Sequence, residues 1–371
     1  MLTEVRDQPM DDWEMEMKRW TGEPHLSGVL YHHYGIRLQE VQPVGGLLCL
    51  NTEKGRYGLK RVRPGDTLRW QLIQELARHI SEAGDHRIPI PVPTRRGQLT
   101  FAGMKNRYVL LPWMDGRIRD WNREKCWPGV ARALARLHTA SRGFSPSRVV
   151  AGAYTHTGKW EKIWKGLARQ VRVLKVSADM SGEITPVDRY WLKHCSYTEG
   201  MLETAIRYLE KVGGDRSVQE TRIGGEICHC NLHRRNVLWD GRGGIHFIDW
   251  NRAVLDVRSR DLARLILYAY GRTGSGEAVH SILHAYQEEV PLKEEDYGLI
   301  YAQLLFPQRL IRSLQRIYQE RTIPADQALG HLVATVDLEE KKRGLLREFP
   351  GQIQREFQVK IPGVDWLQRD R

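Results

Sequence analysis

The stretch that decides the fold is Glu226-Ile-Cys-His-Cys-Asn-Leu-His-Arg-Arg-Asn-Val-Leu-Trp-Asp-Gly-Arg-Gly-Gly-Ile-His-Phe-Ile-Asp-Trp-Asn251. Its first half sets His229, Asn231, His233 and Asn236 on one loop. A short apolar strand follows, then a turn at Asp240–Gly244, then a second strand over 245–249 that ends in Asp249. A hairpin of this kind brings a loop amide, Asn236, towards a strand-end carboxylate, Asp249. Mg²⁺ takes oxygen ligands and keeps water and phosphate in the rest of its shell. Asn236 and Asp249 are therefore the metal candidates.

Cys228, His229, Cys230 and His233 are also residue types that bind zinc. Successive side chains of an extended segment point to opposite sides, however, and no second Cys pair lies at finger-like spacing. The two histidines read better as hydrogen-bonding braces of the loop. Asp261, in Asp261-Leu262-Ala263, reads as a structural acid that ties the loop to the next helix.

Upstream, Val41–Val44, Leu47–Leu50 and Arg56–Val62 are β-forming runs separated by turn residues. Leu68, Leu72, Ile73, Leu76 and Ile80 recur at three- and four-residue steps and predict a helix over about 67–83. Leu99–Ala102 and Tyr108–Leu111 predict a further hairpin. Lys60 lies in an apolar strand, where its ammonium needs an anion. Glu75 lies mid-helix, fifteen residues on. A strand Lys paired with a helix Glu is the arrangement that holds nucleotide phosphates; two surface charges that never meet is the plainer alternative. Gly45-Gly46 lies between the first two strands, where glycine lets backbone N–H groups approach phosphate, although a plain tight turn explains it equally.

Beyond Pro112–Gly116, which reads as a connector, helical periodicity dominates. Helices are expected over about 157–176, 187–212, 259–270, 277–289, 293–321 and 325–349. A shorter one is expected at 26–36, stopping at Gly35, and another at 10–20.

Lys60, Glu75, the 229–236 loop and Asp249 occur in the order found in the aminoglycoside phosphotransferase and choline kinase-like superfamily, which the chain resembles over about 26–330. That loop reads His-Gly-Asp-x-His-x-x-Asn, then Ile-Asp-Trp/Phe-Asp/Glu. Here it reads His229-Cys230-Asn231-Leu232-His233-Arg234-Arg235-Asn236, then Ile248-Asp249-Trp250-Asn251. Within the superfamily the chain is most similar to the spore coat kinase-like proteins of endospore-forming bacteria. Thr52–Lys60, Tyr108–Arg117 and Leu305-Phe306-Pro307 carry that likeness.

The resemblance implies an α+β, bilobal protein-kinase-like fold. A small antiparallel β-sheet N-lobe with one helix covers 26–112, and a larger helical C-lobe covers 113–349. Residues 1–25 would be an extension and 350–371 a tail. It implies Mg-ATP as cofactor, with Leu111, Trp113 and Met114 in a hinge beside adenine and Asn231 at the position of the catalytic base. Asn231 and Asn251 are amides where the family carries acids. An amide oxygen accepts a hydrogen bond but does not take up the proton. Loss of general-base help costs about 10²–10⁴-fold in rate. The expectation is a catalytically impaired, pseudokinase-like, spore coat-related protein that binds Mg-ATP. The alternative is an active phosphotransferase acting on a hydroxyl of a small molecule or protein.

The 371 residues carry a net charge of +12 and 41% hydrophobic residues, which exclude a disordered chain. The charge favours anionic partners: a nucleotide, spore coat proteins or another acidic protein. The Lys159–Lys175 helix, with six basic residues outside its apolar stripe, is one such surface or simply a solvated face. No basic-aromatic nucleic-acid motif and no membrane span stand out. Five cysteines and an acidic start fit a cytoplasmic protein, with assembly onto the spore coat implied by the resemblance.

Overall fold

The computed structural model describes residues 12–82, 88–121, 126–220 and 226–369. Residue 83 and the first residues of the helix expected at 10–20 fall outside these. In chain order the elements are α1 (Asp12–Thr21), α2 (Leu26–Tyr34), β1 (Leu38–Val44), β2 (Leu47–Thr52), β3 (Gly55–Val62), α3 (Thr67–Glu82), β4 (Phe101–Ala102), β5 (Arg107–Pro112), α4 (Cys126–Ala140), α5 (Arg148–Tyr154), α6 (Trp160–Asp179), α7 (Pro186–Lys211) and α8 (Gly214–Glu220). Then come β6 (Ile227–Cys228), β7 (Val237–Trp239), β8 (Ile245–Phe247), β9 (Val254–Leu255), α9 (Ser259–Thr273), α10 (Gly276–Glu289), α11 (Glu294–Leu305), α12 (Gln308–Leu314), α13 (Ala325–Phe357) and α14 (Asp365–Arg369). The α+β class expected from the sequence is observed.

Two compact units emerge. The first is Met1–Ile118, Ser145–Ala153 and Arg235–Asn251; the second is Arg119–Phe144, Tyr154–Arg234 and Arg252–Arg371.

The first unit is built on a five-stranded antiparallel sheet of order β1-β2-β3-β5-β4. Leu48, Leu50, Leu59, Tyr108 and Leu110 are fully buried in one cluster with Leu30 of α2 and Met17 of α1. The β1–β2 connection is the two-residue turn Gly45-Gly46, with φ of 57° and 94°. Both positions need positive φ, and glycine adopts it without a Cβ clash. Helix α2 ends where predicted: Gly35 takes φ 63° and its N–H bonds Tyr31 O at 2.7 Å. The β7–β8 hairpin belongs to this unit because Arg117 and Trp239 exchange backbone hydrogen bonds of 2.8 and 3.0 Å. Gly116 permits that approach, since a Cβ there would lie 2.7 Å from Leu238 Cβ.

The second unit is helical, with two short two-residue strands, β6 and β9, paired antiparallel. Helix α7 starts at a capping box between Thr185 and Asp188, with Pro186 in its first turn. Two expectations are corrected here. The helix expected over 293–321 is broken: α11 stops at Leu305, Pro307 precedes α12, and a π-helical turn follows at Gln315–Gln319. Proline has no N–H to continue the ladder. The helix expected to stop at 349 instead runs through Pro350 to Phe357. Pro350 leaves the carbonyl four residues back, Leu346 O, without its helical donor, and the buried Tyr301 hydroxyl donates to it at 2.7 Å.

Candidate nucleotide site and its loop

In the first unit Lys60 lies on β3, opposite Val109 of β5. Its Nζ forms an ion pair with Asp249 Oδ1, and the two side chains are 15% and 32% exposed. Asp249 follows β8 and holds φ 63°, a left-handed conformation uncommon for a residue with a Cβ. Asn236 closes a single 3-10 turn just before β7, and its carbonyl accepts Ile248 N–H at 3.0 Å. That bond sets Asn236 across the hairpin from the residue preceding Asp249. The turn itself is held by Asp240, whose Oδ1 accepts from Arg242 N at 2.8 Å and Gly244 N at 2.7 Å.

The expected Lys60–Glu75 pair is not formed. The Glu75 carboxylate accepts from Gln71 Nε2 at 2.8 Å and from Ser147 N at 2.9 Å, so it serves helix α3 and the start of α5. Lys60 takes Asp249 instead. Gly46, Lys60 and Asn251 line a recess of about 470 Å³ with Arg63, Lys105 and Arg107. Sequence reading missed these three last cations, because nothing in their spacing marks them as neighbours of Lys60. Leu111 lies on β5 opposite Gly58, and Trp113 and Met114 follow that strand, all three half-buried; Trp113 N–H bonds Arg56 O at 3.1 Å, and the Arg56 guanidinium lies over the Trp113 ring.

In the second unit the loop is gripped from α9. Asp261 is fully buried and accepts from His229 N at 2.6 Å and Cys230 N at 2.8 Å. His138 of α4 places Nε2 3.5 Å from Asp261 Oδ2 and Nδ1 2.7 Å from the Tyr286 hydroxyl. Burial by itself would raise the Asp261 pKa; the His138 hydrogen bond, the charges of His138 and His229 and the backbone donors outweigh it and hold the pKa below the usual value of 3.8. Nothing in the sequence marks His138 as a neighbour of Asp261. His229 is buried and its Nδ1 accepts Asn231 N–H at 3.2 Å. Cys230, between them, is buried with φ 58°. His233 packs 6.4 Å from the Tyr268 ring, and Tyr268 Oη accepts Arg234 N–H at 3.3 Å.

The four residues considered for zinc do not converge. Among the described residues the donor groups that gather here are His138, Cys228 and Asp261, within 4.8 Å. Each already has a partner, Cys228 Sγ donating to Val257 O at 3.1 Å.

Residues 27–349 match the family described as "Spore coat putative kinase YutH". The chain belongs to this YutH family. It is 22% identical over 352 residues to the "Endospore coat-associated protein YutH" of Bacillus subtilis (strain 168), covering 92% of this chain and 98% of that one. The fold is that of kinase-like phosphotransferases. An aminoglycoside phosphotransferase from Alicyclobacillus acidocaldarius superposes with a TM-score of 0.67 at 19% identity, over 90% of this chain and 97% of that chain. A spectinomycin phosphotransferase in complex with ADP and spectinomycin gives a TM-score of 0.53 at 14% identity, over 90% and 99%. Among the described residues of this YutH-family chain no helix is long and apolar enough to cross a membrane.

Proposed function

We propose that this YutH-family chain is a nucleotide-binding pseudokinase: it takes up Mg-ATP on its first unit and transfers phosphate slowly or not at all. The observation that carries the reading is the Lys60–Asp249 ion pair beside Asn236, on a chain whose loop bears an amide at Asn231. Lys60 would engage nucleotide phosphates, and Asn236 and Asp249 would hold Mg²⁺. The basic recess beside Lys60 supports an anionic ligand. A structural neighbour crystallised with ADP supports the same ligand class.

Phosphoryl transfer depends chiefly on positioning and charge neutralisation. Asn231 removes the base, worth about 3–6 kcal/mol of barrier. Asn251 removes a second negative charge. The name of the Bacillus subtilis relative supports association with the spore coat. The α6 surface is a candidate for an acidic coat partner: Lys162, Arg169 and Arg172 line a groove there, while Lys165 is paired with Glu210 at 2.8 Å and Lys175 with Glu199 at 3.1 Å.

The test uses the purified full chain. Its melting temperature should rise with millimolar Mg-ATP, and its own ATP turnover should be at background. Asn231→Asp should create or raise turnover. No thermal shift sinks the nucleotide site. Turnover by the unmodified chain, abolished by Asp249→Ala, sinks the pseudokinase reading and favours an active phosphotransferase.

A further inference from the structure

Away from this site, α10 carries His280 and His284 one helical turn apart, and Glu356 stands in the last turn of α13. One donor atom from each of the three lies within 4.8 Å of the others. Nδ1 of His280 is 3.4 Å from Oε2 of Glu356. Donors about 2.1 Å from a tetrahedral Zn²⁺ stand about 3.4 Å from one another. The separation is thus the edge of a zinc coordination tetrahedron.

The His280 Nδ1 is closed off from water and makes no hydrogen bond among the described residues. His284, one turn on, sets its ring centroid 4.2 Å from that of His280, so both imidazoles and the Glu356 carboxylate border the same space. Phe357 packs 4.9 Å from the His284 ring and walls one side. The other side is open: His284 and Glu356 are exposed, and His280 and Glu356 line a recess of about 380 Å³ with Glu277, Glu348 and Gln352. The two glutamates add negative potential; Arg355, in the same recess, opposes it.

We propose that His280, His284 and Glu356 form a binding site for a divalent d-block cation, Zn²⁺ in the first instance, which ties the end of α13 to α10. The His-x-x-x-His spacing puts both imidazoles on one helical face. Two imidazoles and one carboxylate are a known zinc donor set, and they leave a fourth position for water. The site is built entirely within the second unit and is independent of nucleotide binding.

The test uses the full chain, free of any histidine tag and stripped with a chelator. Calorimetric titration with ZnCl₂ should show one saturable site of micromolar affinity. His280→Ala and His284→Ala should each weaken it by at least about tenfold. Glu356→Gln should weaken it less. Zn²⁺ should raise the melting temperature of the parent and not of the double variant His280→Ala/His284→Ala. Co²⁺, used as a visible probe, should give an absorption band that the double variant lacks. No saturable Zn²⁺ binding below millimolar overturns the proposal, and so does binding that the double variant retains in full.

Discussion

Two aspartates, twelve residues apart in one stretch, do opposite work. Asp261 is wholly buried, and both its oxygens accept loop N–H groups. Asp249 is a third exposed, sits in a left-handed conformation and pairs with the Lys60 ammonium. The first carboxylate is used up by the protein's own backbone. The second is presented to the surface of its unit, with a cation beside it and a basic recess next to that cation. A buried, fully hydrogen-bonded acid braces; a partly exposed acid in a left-handed conformation is the ground for proposing a ligand site at Asp249. The two acid-to-amide changes, at Asn231 and Asn251, affect neither of these two carboxylates.

The largest expected effect separates the two acids by stability. Asp261→Ala would leave two buried backbone N–H groups and His138 without their acceptor, a loss of about 3–5 kcal/mol. Urea unfolding measures it. Because the folded pKa lies below 3.8, this contribution is complete above that value and is lost as pH falls through the lower, folded one. The gap between parent and variant should therefore be constant from about pH 7 to pH 5 and shrink only in stronger acid. An equal cost for Asp249→Ala would erase the distinction between brace and site.

The next effect separates them by ligand. Lys60→Met removes the partner of a partly exposed ion pair, so the free protein should change by no more than about 1 kcal/mol. What it should abolish is the stabilisation by Mg-ATP, about 2.7 kcal/mol at a hundred times the dissociation constant. Thermal melting with and without nucleotide reads both quantities. A variant that melts several kcal/mol less stable yet responds fully to nucleotide would make Lys60–Asp249 a structural pair.

Much of this was legible beforehand, and the failures have identifiable causes. The sheet strands were readable as β-forming runs bounded by turn residues, and α3 because its apolar residues recur at three- and four-residue steps. The hairpin carrying Asp249 was readable from its turn, where Asp240 gathers the N–H groups of Arg242 and Gly244. The far end of α13 was not. Proline normally closes a helix, and here a hydroxyl from Tyr301, 45 residues upstream, replaces the missing donor. No local pattern carries such information. The partners of Asp261 were hidden for the same reason: His138 and Tyr286 come from α4 and α10 and meet only in the folded unit. The Lys60–Glu75 pairing was inferred from sequence order, which does not record that Glu75 is already engaged by Gln71 and Ser147.

The smallest effect tests the brace from inside the loop. Cys230 has φ 58° at the position where the superfamily motif carries glycine. A residue with a Cβ in that region costs about 1–2 kcal/mol. Asp261 holds it there through the Cys230 N–H. The thiol is also buried, in a small cluster with Cys228 and Val254. Cys230→Ala and Cys230→Gly both remove that thiol, but only glycine relieves the backbone. The glycine variant should therefore be the more stable of the two by about 1 kcal/mol, the reverse of the usual preference for alanine over glycine. Paired urea titrations decide it. If alanine is the better replacement, the conformation at 230 carries no strain, and the loop would hold its shape without the grip that distinguishes Asp261 from Asp249.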